Sequence, residues 1–175
     1  TQWSEAQLND YLNQSPLLAR YESGELSSSE FFELIQRETD FTGSETEFAA
    51  LFEDIFTPIA GMIDIHRQIA QSGTPTFTFS NTNEMAVRYI SRTYDFWKMF
   101  KGHVLSYEVG ALKPEAKIYE ALEELSDLNG EDIIYLDDRS ENCAAGRERG
   151  WQVCCHQDVE SSRRFLSSVG DLSLT

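Results

Sequence analysis

"IIYLDDRSENCAAG", residues 133–146, sets an apolar run, Ile133-Ile134-Tyr135-Leu136, directly against two acids, Asp137 and Asp138. The run reads as a strand buried on both faces. Two side-by-side carboxylates at its end repel each other unless something positive sits between or beside them. A positive group is therefore expected at this strand end.

Upstream and downstream of it, strand and helix patterns alternate with short links. Residues 59–71 read as a helix closed by Ser72-Gly73, and "TPTFTFS" (74–80) as a short β-rich run. "NTNEMAVRYISRTYDFWKMF" (81–100) reads as one helix behind an Asn/Thr cap, with Phe96, Trp97 and Phe100 facing the core. "HVLSYEVG" (103–110) reads as a strand and turn, and residues 113–128 as a helix with Pro114 in its first turn. After the "DIIYLDD" strand (132–138) come a helix to Gly150, a strand "WQVCCH" (151–156) and a closing helix over 159–169. This alternation predicts an α/β core with a parallel sheet and right-handed crossovers. Residues 1–57 show no strand pattern. Amphipathic stretches at 5–18, 29–37 and 45–56, with Ser28 and Ser44 as caps, predict an all-helical segment. The expected division is therefore a helical segment over 1–57 and an α/β core over 58–175.

Composition bounds the partners. The chain has 175 residues, 30 acids and 14 bases, for a formal charge of −16. Such a surface repels nucleic acid and anionic lipid, so neither is an expected partner. Any phosphate site must be locally positive. No apolar stretch approaches the roughly 18 residues that span a membrane. The three cysteines, Cys143, Cys154 and Cys155, lack zinc-type spacing and read as free thiols in a reducing cytoplasm.

Ligands in such cores bind at the carboxyl ends of the strands. Those ends are expected at Ser80-Asn81, at Ser106-Tyr107 with the loop running to Lys113, at Asp137-Asp138, and at His156. Ser80 and Asn81 offer a hydroxyl, an amide and the N–H groups of a helix start, suited to an anion. Lys113 adds a point charge at the mouth of the next helix. Asp137 and Asp138 are oxygen ligands of the kind Mg²⁺ takes, and a cation would relieve their repulsion. His66, His103 and His156 read as structural, His156 being nearest the expected site.

"TFTFSNTN", "SYEVGALKPEAKIY" and "IIYLDDRSENCAAG" resemble the second, third and fourth motifs of the haloacid dehalogenase-like (HAD) hydrolases. "ARYESGELSSSEFF" (19–32) is similar to the small helical cap of one branch. The resemblance implies a Rossmann-like core under a small helical cap, Mg²⁺ as cofactor, and phosphoryl transfer to water through an aspartyl-phosphate. It implies catalytic and phosphate-binding roles for Ser80 and Lys113, phosphate binding by Asn81, and Mg²⁺ ligation by Asp137 and Asp138. Asn142 falls on a polar position of the following helix with a supporting role. The substrate implied is a small phosphorylated metabolite. Self-association is left open.

The family's first motif, which carries the nucleophilic Asp at the end of a central strand, has no match here. Asp10, Asp40, Asp54, Asp64 and Asp95 follow no apolar β-run. In the family's strand order its loss leaves a slot between the strands ending at Ser80 and Asp137, roughly 9 to 10 Å wide. Three explanations stay open: a clipped hydrolase, direct pairing of the flanking strands in a non-catalytic domain, or a strand supplied by another chain. The chain itself is expected to have little or no turnover. A 2-haloacid dehalogenase shares the fold but needs no metal, so the twin acids argue against it.

Overall fold

A computed structural model describes residues 15–39, 41–53 and 56–169. The chain divides into two units. One holds the described residues up to Thr57 together with Ser80–Asp95 and Leu105–Leu112. The other holds Pro58–Phe79, Phe96–Val104 and the chain from Lys113 onward. Among the described residues no helix is long and apolar enough to cross a membrane.

The first unit is built on helices α1 (Pro16–Glu22), α2 (Ser28–Glu38) and α3 (Glu45–Glu53). The part of the 5–18 expectation before residue 15 lies outside the described residues. The cap of α2 is Ser27, one residue earlier than its sequence suggests: Ser27 and Glu30 make a reciprocal capping box. Ser28, the first helical residue, is buried and bonds Tyr21 Oη at 2.7 Å. Ser44 does cap α3, exchanging bonds with Glu47. Aromatic rings fill the interior. Tyr21 stacks on Phe31 with centroids 4.4 Å apart, and Phe48 meets Phe31 edge-on at 6.0 Å. Helix α5 (Glu84–Thr93) closes the unit: the Met85 side chain enters this cluster, and its N–H donates to Tyr21 Oη at 3.1 Å.

The second unit carries α4 (Ala60–Gln71), α7 (Ala116–Ser126), α8 (Ser140–Glu148) and α9 (Val159–Val169). Strand β1 (Phe77–Ser80) pairs with β2 (Gly102–Leu105), and β3 (Ile134–Asp137) pairs with β4 (Gln152–Cys155). The β3–β4 pair is parallel, with Asp137 opposite Cys155. Helices cover both of its faces. Ile134 and Leu136 pack with Ile65 and Ile69 of α4 and Leu166 of α9. On the other face α8 sits so close that a Cβ on Gly146 would lie 2.9 Å from Tyr135 Cδ1.

The sheet is not continuous. Among the described residues β1 pairs with β2 and β3 with β4, and no ladder joins β1 to β3. Between them is an apolar cavity of about 410 Å³, lined by Phe77 and Phe79 of β1 and by Ile133–Leu136. Its position is that of the expected slot. Direct pairing of the flanking strands does not occur.

Three local readings change. The 81–100 segment is two elements, since α5 stops at Thr93 and a 3-10 turn covers Asp95–Met99. There Trp97 stacks on His103 at 4.3 Å and Phe100 on His66 at 4.1 Å, all only half-buried. Strand β2 ends at Leu105, because Ser106 Oγ accepts from the Thr82 N–H at 2.9 Å and donates to its carbonyl at 3.0 Å. The chain then makes one helical turn, α6 (Ser106–Val109), ended by Gly110 at φ +70°. Pro114 precedes α7 rather than starting it, and the Lys113–Pro114 peptide is cis.

Candidate active site

A divalent cation is the expected relief of the twin acids; the charge found beside Asp137 is that of Lys113. Its Nζ donates to Asp137 Oδ2 at 2.6 Å and to the Phe79 carbonyl at 2.8 Å. One ammonium thus bridges the carboxyl end of β3 and the edge of β1. The pair is deeply buried, with side-chain exposures of 7% for Lys113 and 5% for Asp137. Burial of that depth costs several kcal/mol per ion unless further bonds satisfy both. Here they do: the ammonium also lies 4.8 Å from the Phe79 ring centroid and 5.7 Å from that of Tyr135.

Asp137 is saturated. Oδ2 accepts from Lys113 and from Tyr135 Oη at 2.6 Å, while Oδ1 accepts from the Arg139 N–H and from Asn142 Nδ2, both at 2.9 Å. Burial pushes its carboxyl up, but the bonds from Lys113 and Tyr135 and the lysine's charge outweigh that and hold its pKa below the usual carboxylate value. Burial, then the bond to Asp137, drives the Tyr135 phenol up, so the shared proton stays on tyrosine. Asn142 turns its amide nitrogen to the acid, which leaves its buried Oδ1 without a partner. That oxygen remains an acceptor for any donor brought to the site. Asp138, next in sequence, is exposed. The two acids therefore differ in role: one is neutralised in the interior and one faces solvent.

The backbone beneath them is held by thiols. Cys143 Sγ lies 3.3 Å from the Asp137 carbonyl, and Cys155 Sγ 3.9 Å from the Asp138 carbonyl. All three cysteines are free. Burial pushes the Cys143 thiol up to about 12. His156 donates its N–H to the Asp137 carbonyl at 2.7 Å, but its ring is engaged with Ser162 Oγ, also at 2.7 Å.

Ser80 and Asn81 belong to the first unit. Ser80 Oγ donates to the Asn81 carbonyl at 3.2 Å. The helix-start N–H groups offered to an anion are largely taken: Ala86 N–H by Asn83 Oδ1 at 3.0 Å, Met85 N–H by Tyr21, and the preceding Thr82 N–H by Ser106. The true cap of α5 is Asn83. Sequence reasoning missed Tyr135, whose apolar neighbours mark it as core, and the Phe79 carbonyl, which leaves no side-chain signature.

Mg²⁺ commonly takes one or two carboxylates, completing its shell with water and phosphate oxygens. A carboxylate offers about four lone-pair sites, and on Asp137 four donors occupy them. Among the described residues no group of three or more His, Cys, Asp or Glu converges as a metal site. In this arrangement Asp138 is the carboxylate open to a cation, and Asp137 would join it only on release by Lys113.

No family model matches the chain. Solved structures do. A HAD family enzyme from Bacteroides thetaiotaomicron, in complex with magnesium and inorganic phosphate, superposes with a TM-score of 0.76 at 19% identity, over 86% of this chain and 80% of that one. A predicted HAD-like family hydrolase from Porphyromonas gingivalis gives 0.72 at 21% identity, over 86% and 76%. The chain has the HAD-like, Rossmann-type fold. In sequence it is 24% identical over 153 residues to a sesquiterpene phosphatase of Aspergillus oryzae, covering 86% of this chain and 76% of that protein.

Proposed function

We propose that the chain is a HAD-type hydrolase of the phosphatase kind, acting on a small phosphorylated substrate. The observation that carries this reading is Lys113, a buried ammonium fixed at the carboxyl end of β3 between an acid and a backbone carbonyl. A phosphoryl oxygen arriving there would take over the charge that Asp137 now satisfies. In this reading Lys113 binds the transferring group, Ser80 and Asn81 keep the phosphate-binding roles that their motif implies, and Asp137 and Asp138 would hold the metal. Mg²⁺ enters through the magnesium and phosphate complexes of the structural neighbour. Bound, it would supply charge neutralisation at the phosphoryl oxygens. The chain's own part is to release Asp137 when Lys113 turns to the anion, and to hold the freed carboxylate through Arg139 N–H and Asn142.

The phosphatase relative extends the substrate class to terpenoid phosphates, beside ordinary phosphorylated metabolites. No described residue is placed as the nucleophile, so the 175-residue chain alone is expected to turn over little. The test is phosphate release from an aryl phosphate and from farnesyl phosphate, with MgCl₂ or with EDTA. It uses the chain alone and a form extended upstream by an Asp-bearing strand. Activity confined to the extended form with Mg²⁺, and lost in Lys113→Ala, supports the reading. Full turnover in Lys113→Ala refutes it.

A second reading, a binding module that keeps the fold without the chemistry, is favoured by the saturation of Asp137. Calorimetry separates the two, because a decayed site takes up neither phosphate nor Mg²⁺ even when both are present.

A further inference from the structure

We propose that Cys143 and Cys155 are a disulfide-forming pair, an oxidative modification site directly behind the Asp137-Asp138 turn. Alternation along β4 separates the two adjacent cysteines. Cys154 Sγ lies 4.0 Å from Ser162 Oγ on α9, so Cys155 points to the opposite face. That face belongs to α8: a Cβ at Gly146 would lie 3.1 Å from Val153 Cγ2, and Val153 is on the same side of the strand as Cys155. As the crossover between parallel β3 and β4, α8 runs opposite to them. Two residues along a strand, about 6.6 Å, correspond to three or four residues of helix, about 4.5–6 Å. Three residues before Gly146 is Cys143, which this register brings opposite Cys155.

Contacts agree with the register. Burial first, and then the Cys155 thiol beside it, raise the Cys143 thiol's pKa. Cys143 Sγ lies 4.0 Å from the carbonyl of Cys154, the residue before Cys155. The two thiols also reach consecutive carbonyls, those of Asp137 at 3.3 Å and Asp138 at 3.9 Å.

Cys143 is fully buried and Cys155 is partly exposed, so a peroxide meets Cys155 first. The Cys155 sulfur attacks the O–O bond, giving a sulfenic acid and one water. The Cys143 sulfur then displaces the sulfenic hydroxyl, which leaves as a second water with the thiol proton. Hydrogen peroxide is reduced to two waters as two thiols become one disulfide. Cys154, on the other face, takes no part. The bond removes both thiol protons from the carbonyls of Asp137 and Asp138 and ties the start of α8 to the end of β4. The backbone under the twin acids thus responds to oxidation whether or not the chain hydrolyses phosphate.

Hydrogen peroxide treatment of the full chain, then alkylation, proteolysis and mass spectrometry, tests this. The expected result is a loss of about 2 Da, a fall in free thiols from three to one, and a linked Cys143–Cys155 peptide pair reversed by dithiothreitol. Cys154→Ser is expected to form the same link. Cys155→Ser, at a partly exposed position, is expected to form none. The proposal is overturned if Cys155 proceeds to sulfinic acid while Cys143 stays alkylatable. A link through Cys154, cross-linked dimers in place of the internal bond, or three thiols unchanged would overturn it equally.

Discussion

Lys113 and Asp137 form a pair whose halves depend on each other. Removing the lysine strands a buried carboxylate with its remaining donors, and breaking such a pair typically costs about 3–5 kcal/mol. Lys113→Met should therefore lower the urea midpoint strongly. Lys113→Met with Asp137→Asn should recover much of the loss, because no lone charge remains inside. A double-mutant cycle with coupling near zero would show that the pair does not act as a unit. His66 offers a titration in the ordinary pH range. Burial lowers its pKa, and its Nε2 lies 2.8 Å from Thr76 Oγ1. The unfolded chain then binds the proton more readily than the folded one. The stabilisation from a neutral His66 is complete above the unfolded value near 6.5, and it is lost as pH falls from there toward the lowered folded value. Urea midpoints measured between pH 7.5 and 5.5 should decline, and His66→Gln should flatten that part of the decline.

Strand and helix patterns in the sequence located the α/β elements well where side chains alone decide them. The strand expected over 132–138 runs over Ile134–Asp137, and 159–169 is a helix over Val159–Val169. Reading failed where a tertiary partner overrides local pattern. Ser106 continues an apolar run, yet its hydroxyl is drawn to the Thr82 backbone and the strand stops. Of the site, Lys113 stands out in the sequence by its place at the mouth of a helix after a strand end. The charge expected to relieve the acid pair is Mg²⁺, however, and the lysine's own bond to Asp137 is not foreseen. Nor is Tyr135, because its phenol meets Asp137 only once the pleat and the turn are fixed in space. Gly146 belongs to the same class of hidden constraint. It sits in mid-helix, where glycine is unfavourable, and close packing on Tyr135 and Val153 is the reason. Gly146→Val should push α8 off the β3–β4 pair and destabilise by about 1–3 kcal/mol. An unchanged thermal midpoint would mean that the helix moves freely. Gly24 is constrained by backbone instead: at φ +75°, a Cβ would lie 2.2 Å from the Tyr107 carbonyl oxygen.

At the scale of the whole molecule, charge and the open sheet act together. A formal charge of −16 resists compaction, so screening should stabilise: raising NaCl from low ionic strength should raise the melting midpoint. Magnesium chloride at matched ionic strength separates screening from site binding. Because Asp137 is fully engaged, Mg²⁺ alone should raise the midpoint no more than NaCl does. Inorganic phosphate with Mg²⁺ is a different case under the phosphatase reading: the anion would draw Lys113 and release Asp137, and Asp137 and Asp138 would then both be open to hold the ion. The midpoint should then exceed the sum of the separate effects, and Asp138→Asn should abolish the excess without altering the NaCl response. The apolar cavity between β1 and β3 opposes that gain, since the Phe79 carbonyl competes for Lys113 as long as no strand fills the space. The excess should therefore be larger in a form extended by a central strand than in the 175-residue chain. Equal curves in phosphate with and without Mg²⁺, in both forms, would place the chain among domains that keep this fold and have lost its ion.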